Sequence, residues 1–408
     1  MATNRSSSSS SDQVVHQLVE LFRSNGHRVL HGDSKVCFTS DSLTLLNNYF
    51  QAAKLDFLLP TTTDRPRTNS LPPLPVPPSI QNIRISVKLR EDLLFLHDFL
   101  QKIHSVKLIH HAGTLRGNVL LYPFQHVTCL ELKKIPPHMV LGLSLLRPQL
   151  ETLICLQSVT KIEDLIGDCG GDSVRREPWP RLKSLFLAHN FIERIDQSLK
   201  YLIALEVLDL SHNRLQDCSN ILDIIPHVKH LNLSSNNLRI VPIWSDERGQ
   251  CRLSTLKMRQ NCLEEIIGIE NMKSIDELDL SDNFITAIPE QIRYMPMLKR
   301  LYFARNPFAY ASNYRQQIIT NLPFVFSQEA RELLIDNQSL TPKEKQRIPL
   351  RRNRQQQVGP SFPLYSPSPS TQNTTTSEST TEPESITATS TGTVVARRYV
   401  LLKGYRTQ

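Results

Sequence analysis

The chain has 408 residues, 21% of them charged, a net charge of +8 and seven cysteines, an odd number with no C-x-x-C pair. No apolar run approaches the ~20 residues of a membrane helix, and Met1-Ala2-Thr3-Asn4-Arg5 opens no signal segment. These features exclude a disulfide-stapled secreted scaffold and a helical membrane protein, and predict a reduced, cytoplasmic one.

Residues 1–12 are serine-rich and expected to be disordered. From Gln13, the positions Val14, Val15, Leu18, Leu21 and Phe22 keep helical spacing until Asn25-Gly26, which should stop them. A second helix is predicted over 40–51, with Leu43, Leu46, Tyr49 and Phe50 on one side. Residues 60–79 form a proline-rich linker, read as a stiff spacer. Beyond it, 83–87 reads as a strand, 91–102 as a helix, and 106–110 and 118–122 as strands. Together, residues 13–122 form a helical and α/β N-terminal region. His110-His111 raises no metal expectation, because adjacent strand residues face opposite ways and no Cys/Asp/Glu cluster completes a set.

Between 123 and 308 one phrase, L-x-x-L-x-L-x-x-N, dominates. It ends at Asn190, Asn213, Asn236, Asn261, Asn283 and Asn306, at spacings of 23, 23, 25, 22 and 23 residues. Val127-Leu130-Leu132 and Leu150-Leu153-Cys155 carry the same phrase without its asparagine. A period of 20–29 residues with this pattern marks a leucine-rich repeat. The expected fold is therefore an α/β solenoid with a curved parallel sheet, two degenerate and six regular coils, and a shared leucine core. Each asparagine should satisfy backbone groups where the chain turns after its strand.

An insertion before Leu182 contains Asp168-Cys169-Gly170-Gly171-Asp172. G-x-C-G-G also surrounds the nucleophile of chymotrypsin-like cysteine proteases, which need an activated thiolate inside a double β-barrel. A loop between leucine-rich coils does not provide that setting. The chain also lacks a P-loop, G-x-S-x-G, H-E-x-x-H and a Rossmann fingerprint. The expectation is no enzyme, no metal and no cofactor.

Residues 309–348 should cap the last coil, and 349–408 should be a disordered tail. From residue 343 onward, ten Lys/Arg stand against four glutamates, so the tail supplies +6 of the +8. No basic stripe marks the repeats, and a nucleic-acid partner is not expected. Residues 394–405 alternate like one strand without a partner, read as a sign of truncation.

Function should sit on the concave face, which the residues between the leucines reach. The candidate partner-binding residues are Phe186, Asp209, His230, Asn232, Lys257, Arg259, Glu277, Asp279, Arg300 and Tyr302. Aromatic and arginine side chains are common interface anchors. The plainer alternative is a solvated face with internal ion pairs such as Arg259 with Asp279.

Several non-repeat pieces point to a family. They are Gln149-Leu150-Glu151-Thr152-Leu153-Ile154-Cys155 followed by Asp168-Cys169-Gly170-Gly171-Asp172, together with Gln216-Asp217-Cys218, Leu334-Ile335-Asp336, Tyr122-Pro123-Phe124 and the stretches 94–101 and 108–110. Over about residues 13–345 the chain resembles the N-terminal half of the serine/threonine kinase 11-interacting proteins. That resemblance implies a cytoplasmic, non-enzymatic scaffold that associates with a tumour-suppressor serine/threonine kinase and influences where it resides. It also implies a longer chain with further C-terminal modules. The alternative reading is a regulatory subunit of a protein phosphatase or of a small-GTPase pathway.

Overall fold

The computed structural model describes residues 10–55, 85–111, 117–174, 176–245, 251–322, 333–347 and 398–401. The expected proline-rich linker, the disorder expected at 1–9 and most of the expected tail lie outside the described residues.

Helix α1 (Ser10–Leu30) starts inside the stretch expected to be disordered and buries Val15, Val19, Phe22 and Val29. It also continues through Asn25-Gly26, the expected stop. Gly26 is a point of close approach: a Cβ there would lie 2.8 Å from the Phe99 ring, and Phe22 stacks on Phe99 at 4.5 Å. The helix closes at Gly32, whose N–H donates to Val29 O while Asp33 N–H donates to Arg28 O, a Schellman ending.

Strand β1 (Ser34–Thr39) follows, where no strand was expected. Helix α2 (Ser40–Ala52) starts from a capping box between Thr39 and Ser42. Residues 85–87 are not the expected strand. Ser86 Oγ accepts from Leu89 N–H at 3.2 Å and caps helix α3 (Val87–Gln101) four residues before its predicted start. Strand β2 (Ser105–Ile109) comes next. The expected strand at 118–122 shortens to β3 (Val119–Leu120), which pairs only with β5 (Val140–Leu141) in a separate two-stranded sheet.

The degenerate coils place β4 (Cys129–Lys133), the short helix α4 (Leu143–Leu146) and β6 (Thr152–Leu156). Helix α5 (Ile162–Ile166) precedes the glycine pair of the insertion. The regular coils supply β7 (Ser184–Phe186), β8 (Val207–Asp209), helix α6 (Ile221–Ile224), β9 (His230–Asn232), β10 (Thr255–Lys257), β11 (Glu277–Asp279) and β12 (Arg300–Tyr302). Helix α7 (Tyr314–Thr320), the hairpin strands β13 (Leu334–Ile335) and β14 (Gln338–Ser339), and helix α8 (Pro342–Arg347) close the end.

Apart from β3 and β5, these strands and one near the C-terminal end, residues 398–401, make one thirteen-stranded sheet, parallel except for β13–β14. It crosses the boundary drawn at residue 122: β2 pairs with β4 over five residues, and one buried cluster runs from Val15 to Leu340. The N-terminal region is thus a continuation of the stack. The supposedly partnerless alternating segment also finds a neighbour, because β15 (Arg398–Leu401) pairs in parallel with β1.

The asparagines do what their chemistry suggests. Asn236 is buried, accepts from Leu215 N–H at 3.0 Å and donates to Leu210 O and Leu233 O, both at 3.0 Å. Asn213, Asn261, Asn283 and Asn306 repeat the pattern. Each side chain therefore ties two successive coils, and the backbone N–H it accepts from would otherwise be buried and unpaired.

One flank carries a second ladder, in which the backbones of Glu151, Lys183, Glu206 and Lys229 are hydrogen-bonded in turn. Lys183 pairs with Glu151 at 3.5 Å and Lys229 with Glu206 at 3.0 Å.

The two ends of the regular coils are also explained by named side chains. Asp172 takes the N–H groups of Gly142 and Ser144, both at 2.7 Å, and so caps α4 across the insertion. Gly170 approaches so closely that a Cβ would sit 2.9 Å from Pro137 O. Cys169 is fully buried and burial pushes its thiol up to about 12, the opposite of an activated nucleophile. At the far end, Asp336 accepts from Phe303 and Ala304 N–H at 2.8 and 2.9 Å. Arg315 donates to the carbonyls of Ile335, Gln338 and Ser339. The last coil's backbone groups are thereby satisfied.

Candidate functional site

The register of the parallel strands sorts the ten candidate residues into columns on the sheet face away from the leucines. Phe186, Asp209, Asn232, Lys257, Asp279 and Tyr302 are direct partners from β7 to β12. His230, Glu277 and Arg300 lie in the neighbouring column with Ser184, Val207 and Thr255. Arg259 belongs to neither column. It sits in the exposed turn after β10.

The alternation that sends Leu185, Leu208, Leu231, Leu256, Leu278 and Leu301 inward sends these residues outward. Their column continues toward the N-terminus through Ile154, Glu131 and Lys107. It does not stay open there. Glu131 is only 4% exposed and is held between Lys107 and Lys35, the latter at 3.3 Å. The accessible face therefore runs from Ile154 to Tyr302.

Three of the candidates spend a side-chain oxygen on their own chain. Asp209, Asn232 and Asp279 each accept from the N–H two residues on, at 2.8, 3.1 and 3.0 Å. These bonds close the turn after the strand. Ser281 Oγ also donates to Asp279 at 2.6 Å. The Arg259–Asp279 pair offered under the plainer alternative does not form: Arg259 Nε instead reaches Asp282 at 2.7 Å. Arg305 binds the same carboxylate, one contact measuring 2.6 Å. Asp282 and Arg305 were not among the candidates, although both occupy the position just before a repeat asparagine.

A second shared carboxylate lies beside this one. Glu277 pairs with Lys257 and with Arg300, both at 3.0 Å. Burial alone would raise the Glu277 carboxyl, but hydrogen bonds and charge from Lys257 and Arg300 outweigh it and hold it below its usual range. For Asp282 the hydrogen bond from Arg305, then contacts from Arg259, lower the carboxyl against the effect of burial. Burial, and next the charge of Glu277, raise the Tyr302 phenol, so it stays protonated and able to donate. His230 Nδ1 contacts Thr255 Oγ1 at 3.0 Å. Phe186 remains half-buried at the apolar end, beside Ile154.

Among the described residues, no group of three or more His, Cys, Asp or Glu is placed to hold a metal. A depression of about 280 Å³ bounded by Ile240, Val241, Cys262 and Ile267 is smaller than usual ligand pockets. Among the described residues, no helix is long and apolar enough to cross a membrane.

A family model described as LKB1 serine/threonine kinase interacting protein 1 matches residues 9–112, and a leucine-rich repeat model matches 180–242. A serine/threonine-protein kinase 11-interacting protein of Gallus gallus is 31% identical over 348 residues, 83% of this chain and 30% of that protein. The Homo sapiens protein of that name is 32% identical over 307 residues, 74% of this chain and 27% of its own length. A solved leucine-rich repeat protein of Leptospira interrogans aligns with a TM-score of 0.44 and 16% identity, over 66% of this chain and 68% of that one. The chain spans about 30% of the length of the Gallus gallus relative, less than the half expected. With a matching family model on its N-terminal elements and a relative aligned along 83% of its length, the chain is similar to part of the serine/threonine-protein kinase 11-interacting proteins.

Proposed function

We propose that the chain is a non-enzymatic protein–protein interaction module that binds a serine/threonine kinase through its open sheet face and influences where that kinase resides. The observation that carries this reading is the uninterrupted outward column from Ile154 to Tyr302, with an apolar end at Phe186 and a polar end at Lys257, Arg300 and Tyr302. Parallel-sheet solenoids commonly bind partners on such a face. The names of its relatives supply the kinase. Seven unpaired cysteines, five of them buried, support a reducing, cytoplasmic setting.

The test is direct binding of purified serine/threonine kinase 11 to the full chain, beside a Phe186→Asp/Tyr302→Ala variant. The expected result is binding by the wild type and about a tenfold or greater loss in the variant, as for interface anchors. Kinase binding unchanged in the variant would move the site off this face. No kinase binding, with tight one-to-one capture of a phosphatase catalytic subunit, would overturn the reading.

A further inference from the structure

At the β10–β12 end the open face covers its acids and presents its bases. The Glu277 and Asp282 side chains are 14% and 18% exposed, whereas Lys257, Arg259, Arg300 and Arg305 are 42%, 46%, 41% and 59% exposed. Each carboxylate is shared by two cations, so it orients both and neutralises one. Asp279 lies between the two clusters with an oxygen committed to Ser281. Tyr302 adds a protonated phenol. The accessible polar groups are thus nearly all donors, held in place by acids beneath them. A partner has to bring the acceptors.

The other end of the face has different chemistry. Ile154 and Phe186 are register partners, and Val207 stands beside Ser184 in the adjoining column. From β7 to β10 there are three strand spacings, and to β12 five, which is roughly 14–24 Å at about 4.8 Å per spacing. An extended peptide covers that span with about four to seven residues.

We propose that this face binds an acidic protein segment laid across the strands, with an apolar side chain against Ile154 and Phe186 and carboxylates against the Lys257–Arg300 and Arg259–Arg305 pairs. The proposal rests on the reading that this face is the partner site, and it adds the chemistry of the partner. Four bases against three acids leave too small an excess for nucleic acid, whose affinity depends on neutralising many phosphates. The apolar end also suits a protein side chain better than a sugar–phosphate backbone.

The probe is a fluorescent peptide with one phenylalanine, about five uncharged residues and four glutamates, and a twin carrying glutamines in place of the glutamates. Both are titrated into the full chain by anisotropy. The glutamate peptide should bind, and the glutamine twin should bind about tenfold more weakly. Lys257→Gln/Arg300→Gln should weaken the glutamate peptide by a similar factor. Glu277→Gln should tighten it about threefold or more, because a competing acid is removed while both bases remain. Circular dichroism checks that both variants fold.

Equal binding of the two peptides, or looser binding in Glu277→Gln, overturns the proposal. A single-stranded oligonucleotide bound more tightly than the glutamate peptide overturns it in favour of a nucleic-acid surface. Kinase binding lost in Phe186→Asp/Tyr302→Ala but untouched by Lys257→Gln/Arg300→Gln overturns the acidic segment and leaves the interaction face standing. Peptide binding without kinase binding supports the surface and removes the kinase.

Discussion

The N-terminal coils and the regular coils share one sheet and one core, yet they are held by different forces. In β1, β2 and β4 the backing is aromatic and helical: Phe22 on Phe99, Phe38 6.4 Å from Phe22, and Phe124 6.0 Å from Phe38. In β7 to β12 the backing is aliphatic, and an asparagine per coil also joins backbone groups of its own and the preceding coil. The first region depends on shape, the second also on hydrogen-bond satisfaction. A continuous sheet therefore does not require uniform energetics.

The largest expected effect is in the asparagine half. Asn236→Ala leaves Leu215 N–H without its partner and removes one of the two amides that donate to each of Leu210 O and Leu233 O, at about 3 kcal/mol in total. Urea denaturation measures that cost. Hydrogen exchange should place the lost protection in β8, β9 and β10, with α1 to α3 unchanged, because repeat stacks couple mainly to neighbours. Equal loss at both ends would break the comparison and make the stack one cooperative unit.

Gly26→Val addresses the shape-dependent half. The new side chain has to enter the space of the Phe99 ring, at a cost of about 2 kcal/mol for overpacking. Exchange should rise in α1 and α3 while the asparagine coils keep their protection. The smallest effect is expected at the junction. Asp172→Ala removes the cap of α4 and should cost about 1 kcal/mol, with exchange rising at Gly142 and Ser144 alone.

The same contrast explains how much the amino-acid order reveals. Asparagine coils are local: strand, turn and asparagine lie within nine residues, so the period discloses the sheet and its outward columns together. The aromatic coils are not local. Gly26 reads as a helix stop until Phe99, far along the chain, is seen against it. Ser86 reads as part of a strand because its cap partner, Leu89, follows an apolar stretch with no helical break. Strand β1 lies between two helices and is buried along most of its length, so it lacks the polar alternation that marks a half-exposed strand. On the open face the columns were legible, but the pairing was not. Asp279 turns onto Ser281, and Arg259, beyond the strand, pairs with Asp282 in the next coil.

The flank ladder has a consequence for how the chain finds its register. Glu151, Lys183, Glu206 and Lys229 alternate in sign from coil to coil. If one coil were skipped during assembly, Lys183 would meet Lys229, or Glu151 would meet Glu206, just ahead of the strands, and like charges side by side repel. The leucines alone could not report such an error, because every coil offers the next the same apolar surface. Over these four coils the alternation biases the stack toward its native order, until the ladder passes to the uncharged Ser254.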